Sequence, residues 1–147
     1  MLPLMLTLAL STLLTQTPSA NTACAALTPA QVTSLIGAAR TMPLTSAANG
    51  STCMFQNGDR VLTVLTATVS SADAAKGLFN SKKAVAAGTD IAGWGVPAYY
   101  GTGKDYAACG IMKQQTLTEL KIIDKTQTSA VMVQKLQTVM KEFAARK

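Results

Sequence analysis

The stretch Cys53-Met54-Phe55-Gln56-Asn57-Gly58-Asp59-Arg60-Val61-Leu62-Thr63-Val64-Leu65 decides the fold class. Asn-Gly between two apolar runs is the strongest short-range hairpin signal, because both residues accept the positive φ of a type I′ turn. A two-residue turn at Asn57-Gly58 predicts that Gln56 pairs with Asp59, Phe55 with Arg60 and Cys53 with Leu62. Thr and Val dominate as far as Val69, a composition that fits a pleated, half-buried surface.

Helical signals flank this hairpin. Upstream, Thr28 is a good N-cap, Pro29 suits the first helical position, and Gln31 completes a capping box. Leu27 and Val32 are spaced as a hydrophobic staple, and Val32, Leu35, Ile36 and Ala39 share one face. Residues 43–51, Pro-Leu-Thr-Ser-Ala-Ala-Asn-Gly-Ser, read as a loop. Downstream, a second helix spans 71–87, with a Ser cap, Asp73 in its first turn and Gly88 as its C′ residue. Strands are predicted at 97–101, 106–113 and 116–123. A last helix over 129–145 carries Met132, Val133, Leu136, Val139, Met140 and Phe143 at helical spacing. The order α-β-β-α-β-β-β-α predicts an α+β domain: an antiparallel sheet of about five strands with three helices packed on it.

Composition narrows the function. The 147 residues are 48% hydrophobic and 14% charged, which excludes a disordered chain. Thirteen Lys and Arg against seven Asp and Glu give +6, and there is no His, so His-based catalysis and His-ligated metals are excluded. From residue 111 onward seven basic and three acidic residues leave a net +4, read as the solvated face of the last helix in preference to a patch for an anionic surface.

Residues 1–23 contain no charged side chain. The Leu-rich core from Leu2 to Leu14 has the length of a signal-peptide h-region and is too short to span a bilayer. A polar stretch ending in small residues follows, so 1–23 reads as a signal peptide cleaved near Ala20 or Ala23, with 24–147 as one domain. Three cysteines remain, Cys24, Cys53 and Cys109. In one reading Cys24 and Cys53 form a disulfide, closing a loop worth about 3.6 kcal/mol in the chain-entropy model, and Cys109 is a buried free thiol. In the other, Cys24 is a lipidated first residue that tethers the protein to a membrane, and Cys53 pairs with Cys109.

The familiar catalytic motifs fail. Gly93-Trp94-Gly95-Val96-Pro97-Ala98 formally matches a dinucleotide fingerprint, but Pro97 interrupts it and strands follow. Gly103-Lys104 lacks the remaining P-loop residues. There is no G-x-S-x-G elbow, and a Cys109 nucleophile would lack a base. No cofactor or metal site and no nucleic-acid partner is expected. Trp94, Tyr99 and Tyr100, among several glycines, form a candidate ligand cleft, weighed against plain core packing.

The segments Cys24-Ala25-Ala26-Leu27-Thr28-Pro29-Ala30-Gln31, Gly50-Ser51-Thr52-Cys53-Met54-Phe55 and Ile91-Ala92-Gly93-Trp94-Gly95-Val96-Pro97-Ala98-Tyr99 carry a resemblance. The pattern resembles small secreted bacterial domains of unknown function, many of them actinobacterial lipoproteins. It is also similar to the extracellular sensor domain of mycobacterial serine/threonine kinases, an antiparallel sheet with helices. Val96 stands where that pattern has Asp, and Cys109 is additional. The resemblance implies a Cys24–Cys53 pair and supplies no catalytic residues.

These readings predict an exported, non-enzymatic periplasmic or extracellular domain that binds a ligand or protein of the cell envelope. The alternatives are a small secreted hydrolase using scattered Asp and Glu, or an inhibitor of a secreted enzyme.

Overall fold

The computed structural model describes residues 21–47 and 49–147. The expected leader lies outside the described residues except for Asn21, Thr22 and Ala23, which belong to the fold. The elements run α1 (Thr22–Ala25), α2 (Pro29–Ile36), β1 (Arg40–Ala47), β2 (Gly50–Asn57), β3 (Arg60–Thr68), α3 (Ala72–Val85), β4 (Thr89–Asp90), β5 (Ala98–Gly103), β6 (Tyr106–Lys113), β7 (Thr116–Ile123) and α4 (Ser129–Ala145). The strands form one antiparallel sheet in the order β1-β2-β3-β7-β6-β5-β4.

The class is the expected α+β, but the described residues hold seven strands and four helices rather than about five and three. The main correction is at 43–51. Instead of a loop, this segment supplies most of β1 and the start of β2. β1 is an edge strand, exposed along nearly its whole length, with a register shift between Pro43 and Thr45. Proline and irregularity on an edge strand discourage further pairing, and they also erase the alternation by which a strand is recognised.

The central hairpin forms in a different register. Phe55 faces Leu62 rather than Arg60, and Cys53 faces Val64 rather than Leu62. The turn residues are Gly58 and Asp59, because Asn57 pairs with Arg60. Gly58 alone takes positive φ, at 59°, which is the pattern of a type II′ turn with glycine first. Asn57 stays in the strand and donates from Nδ2 to the Ile36 carbonyl at 2.8 Å, satisfying an otherwise open acceptor at the end of α2.

The helix starts follow the expected chemistry. Thr28 and Gln31 form the reciprocal capping box. Ser71 and Thr128 cap α3 and α4 by accepting from the backbone N–H of Ala74 and Val131. The end of α3 differs from expectation. The helix stops at Val85, and Ala87, not Gly88, takes the left-handed conformation at φ 51°. Gly88 N donates to Lys83 O at 2.8 Å and Ala87 N to Ala84 O at 3.0 Å, the paired bonds of a Schellman motif. Gly88 is needed for space: a Cβ there would lie 3.1 Å from Tyr99 Cδ2 and 3.0 Å from Lys83 O.

Strand alternation sorts the apolar side chains into two layers. On one face, Cys53, Phe55, Leu62, Val64, Cys109, Leu120 and Ile122 pack beneath α1, α2 and α4. On the other, Tyr99, Ala108, Met112 and Leu117 pack beneath α3 with Ala75 and Phe79. β6 lies between both helical layers, so residues 107–112 are all buried, giving the continuous apolar run of a strand covered on both sides.

Candidate functional site

The sheet separates the three aromatics of the expected cleft. Tyr99 and Tyr100 are neighbours on β5 and therefore point to opposite faces. Tyr99 is fully buried beneath α3, its ring edge-on to Phe79 with centroids 5.2 Å apart. Tyr100 lies on the α4 side, beside Ser129 and Val133. Trp94 packs against the core on that same side. No single cleft unites them.

The cysteines take the first of the two arrangements. Cys24 and Cys53 are joined, with their Cα atoms 5.0 Å apart, and Cys109 is a buried free thiol. Burial, then the charge of Glu119, pushes the Cys109 thiol up to about 12, which leaves it protonated at neutral pH. The Tyr99 hydroxyl donates to Glu119 Oε2, and burial followed by that carboxylate raises the phenol well above its ordinary value. Asp124 is also buried. Burial alone would raise its carboxyl, but bonds from the Thr126 hydroxyl, the Thr126 N–H and Gln127, together with Arg60 at 3.4 Å, hold it below the usual carboxylate value.

The acids occupy separate places. Asp59 is in the β2–β3 turn, Asp73 in the first turn of α3, Asp90 on β4 and Asp105 in the β5–β6 turn. Glu119 is tied to Tyr99, Asp124 to its loop, and Glu142 accepts from Gln31 at 2.8 Å. Among the described residues no group of three metal-ligating side chains is found.

One concavity brings together side chains whose types did not announce it. A groove of about 550 Å³ runs between α3 and the loop 91–97. Its volume lies in the range of small-ligand sites. Ala75, Phe79, Ala98 and Met112 line it from the core, and Ile91 and Pro97 form the opposite wall. The rim is polar. Lys76, Asn80 and Lys83 recur at helical spacing along one face of α3. Lys83 Nζ is 3.0 Å from Asp90 Oδ1, bracing the helix end against β4, and lies 6.0 Å from the centroid of Phe79. Lys76 is exposed and is in neither of the two ion pairs found among the described residues. Gln114, held at φ 56° in the β6–β7 turn, also lines the groove.

Each part of this site has a local cause, but only the fold assembles them. The Ser71 cap sets where α3 begins. The Phe79–Tyr99 contact anchors the helix to the sheet. Ile91 is fixed by its N–H bond to the Ala98 carbonyl at 2.8 Å, and Met112 by its bond to the Pro97 carbonyl at 2.9 Å. The arrangement combines an apolar trough with an exposed lysine at its edge. No protein-family model, no curated protein and no solved structure matches the chain.

Proposed function

We propose that this protein is an exported, non-enzymatic binding domain whose site is the groove beneath α3, and that the ligand is a small amphiphile with an apolar chain and one anionic head. The observation that carries the reading is the apolar trough of Phe79, Met112, Ile91 and Pro97, with Lys76 exposed on its rim and in neither of the ion pairs found among the described residues. An alkyl chain laid along the trough would remove apolar surface from water on both partners, at roughly 25 cal/mol per Å². A carboxylate at Lys76 would gain a charge-assisted hydrogen bond, with Asn80 and Gln114 as further donors. Lys83 is already engaged by Asp90, so Lys76 is the head-group anchor.

Export is supported by the uncharged Leu-rich leader in the sequence and by the Cys24–Cys53 disulfide, a bond that persists in oxidising compartments. No described helix is long and apolar enough to cross a membrane. The dispersal of the acids, several of them occupied in structural bonds, favours binding over hydrolysis.

Calorimetric titration separates the two halves of the site. Dodecanoate is expected to bind saturably. Butyrate, which lacks the chain, and a dodecyl trimethylammonium salt, which inverts the head charge, are expected to bind at least tenfold more weakly. Equal heats for both dodecyl amphiphiles would contradict a cationic head-group site.

A further inference from the structure

We infer that maturation cuts the chain between Ala20 and Asn21, and that Cys24 is not acylated. The inference rests on the export reading above. The sequence alone allows cleavage after Ala20 or after Ala23, and the second position would expose Cys24 as a lipoprotein-type first residue. The three residues between the two positions are built into the fold.

Asn21 clasps the first two strands. Its Nδ2 donates to the Thr45 carbonyl at 2.9 Å and to the Thr52 carbonyl at 3.1 Å, at the point where the β1–β2 register shifts. Its Oδ1 accepts from Cys24 N at 3.0 Å and caps α1. Thr22 closes a triangle of hydroxyls, 2.7 Å from Ser51 Oγ and 3.0 Å from Thr66 Oγ1, while Ser51 and Thr66 are 2.9 Å apart. Ala23 is completely buried, and its N–H donates to Ser51 Oγ at 2.9 Å. Ser51 is itself only 2% exposed, so it cannot replace these partners with bulk water.

Cleavage after Ala23 would remove this network and place a new charged amine at Cys24, on the helical turn that Asn21 now caps. Acylation would also require the Cys24 sulfur, which is bonded to Cys53, and would leave Cys53 as a thiol with no solvent exposure. Cleavage before Asn21 costs the fold none of these contacts. Ala20 supplies the small residue directly before the cut, and Pro18 stands at the third position before it. In the hydrolysis, water oxygen bonds to the Ala20 carbonyl carbon and the carbon–nitrogen bond to Asn21 breaks. The leader departs with the Ala20 carboxylate, and Asn21 keeps the new α-ammonium group.

The test is the intact mass and N-terminal sequence of the full-length chain recovered from a bacterial host that exports it. The expected product begins at Asn21, carries no acyl chain and is two hydrogens lighter than its reduced form. A product beginning at Cys24, acylated or not, would overturn the inference while leaving export in place. Recovery of the chain still beginning at Met1 would overturn the export reading itself. Ala20→Tyr, which puts a bulky residue before the cut, is expected to accumulate precursor. Undiminished yield of a Cys24 product from that variant would count against the assignment.

Discussion

The ring of Tyr99 lies across the Cα of its register partner Gly110: a Cβ on Gly110 would collide with Tyr99 Cζ and sit 2.6 Å from the hydroxyl oxygen. The missing side chain lets the ring lie flat enough to meet Phe79 on one side and Glu119 at its tip. Since Phe79 is also a wall of the groove, the glycine on β6 sets the position of the proposed site from the layer beneath it.

Gly110→Ala is therefore expected to destabilise the protein by about 2 kcal/mol, the scale of overpacking in a filled core. Gly77→Ala is the control. Gly77 lies inside α3, is exposed and has open space around it, so alanine there is expected to stabilise by about 1 kcal/mol. Urea unfolding of the two variants should show shifts of opposite sign.

The end of α3 makes a second such contrast. Ala87 holds a left-handed conformation that costs an L-residue roughly 1 kcal/mol, so Ala87→Gly should raise the unfolding midpoint. Gly88→Ala, one residue on, should lower it, because the added methyl meets the Lys83 carbonyl and the Tyr99 ring. Thermal melts of both variants check the assignment of φ to one position and space to the next.

Asp124 gives the pH dependence a definite sign. Its carboxyl is held below the ordinary value by the bonds from Thr126 and Gln127 and by Arg60, which together outweigh its burial. A group depressed in the folded state stabilises fully above its unfolded pKa, about 3.9 for Asp, and that contribution disappears as pH falls from there through the folded value. Asp124→Asn should be less stable at neutral pH and should lose less stability over that acidic window. Urea midpoints measured from pH 6 down to pH 2 would show it, and parallel curves for the two proteins would refute it.

Cys109 is expected to be silent in the native protein. With its thiol buried and pushed up to about 12, iodoacetamide at pH 8 should leave the folded chain unlabelled. In denaturant without reductant one label should appear, at Cys109, and after reduction three. Two labels in the unreduced denatured chain are not compatible with this pairing.

Much of the scaffold was legible in the residues because the signals were local. The Thr28–Gln31 box, the Ser cap of α3 and the apolar stripe from Met132 to Met140 report themselves within a turn or two. β1 was not legible. Both of its faces are largely exposed and Pro43 interrupts it, so no alternation marks it as a strand. The hairpin register departs from the sequence signal because Asn57 has the character of a turn residue, while its amide is bound to a helix 21 residues earlier in the chain. The groove was hidden for a similar reason. Lys76 and Phe79 on α3, Ile91 in a loop and Met112 on β6 become neighbours only through packing, whereas Tyr99 and Tyr100, adjacent and aromatic, are separated by the alternation of a strand.

Titrating the protein, labelled with carbon-13 at its methionine methyls, with dodecanoate tests the groove as the binding site most directly. Met112 lies in the groove, whereas Met42 and Met54 are paired on the far strands β1 and β2. The expected result is a saturable shift of the Met112 methyl, no shift at Met42 or Met54, and at least a tenfold weaker response in Lys76→Glu. An unmoved Met112 methyl, or shifts of equal size at all three, would contradict the proposal that the groove beneath α3 is the binding site.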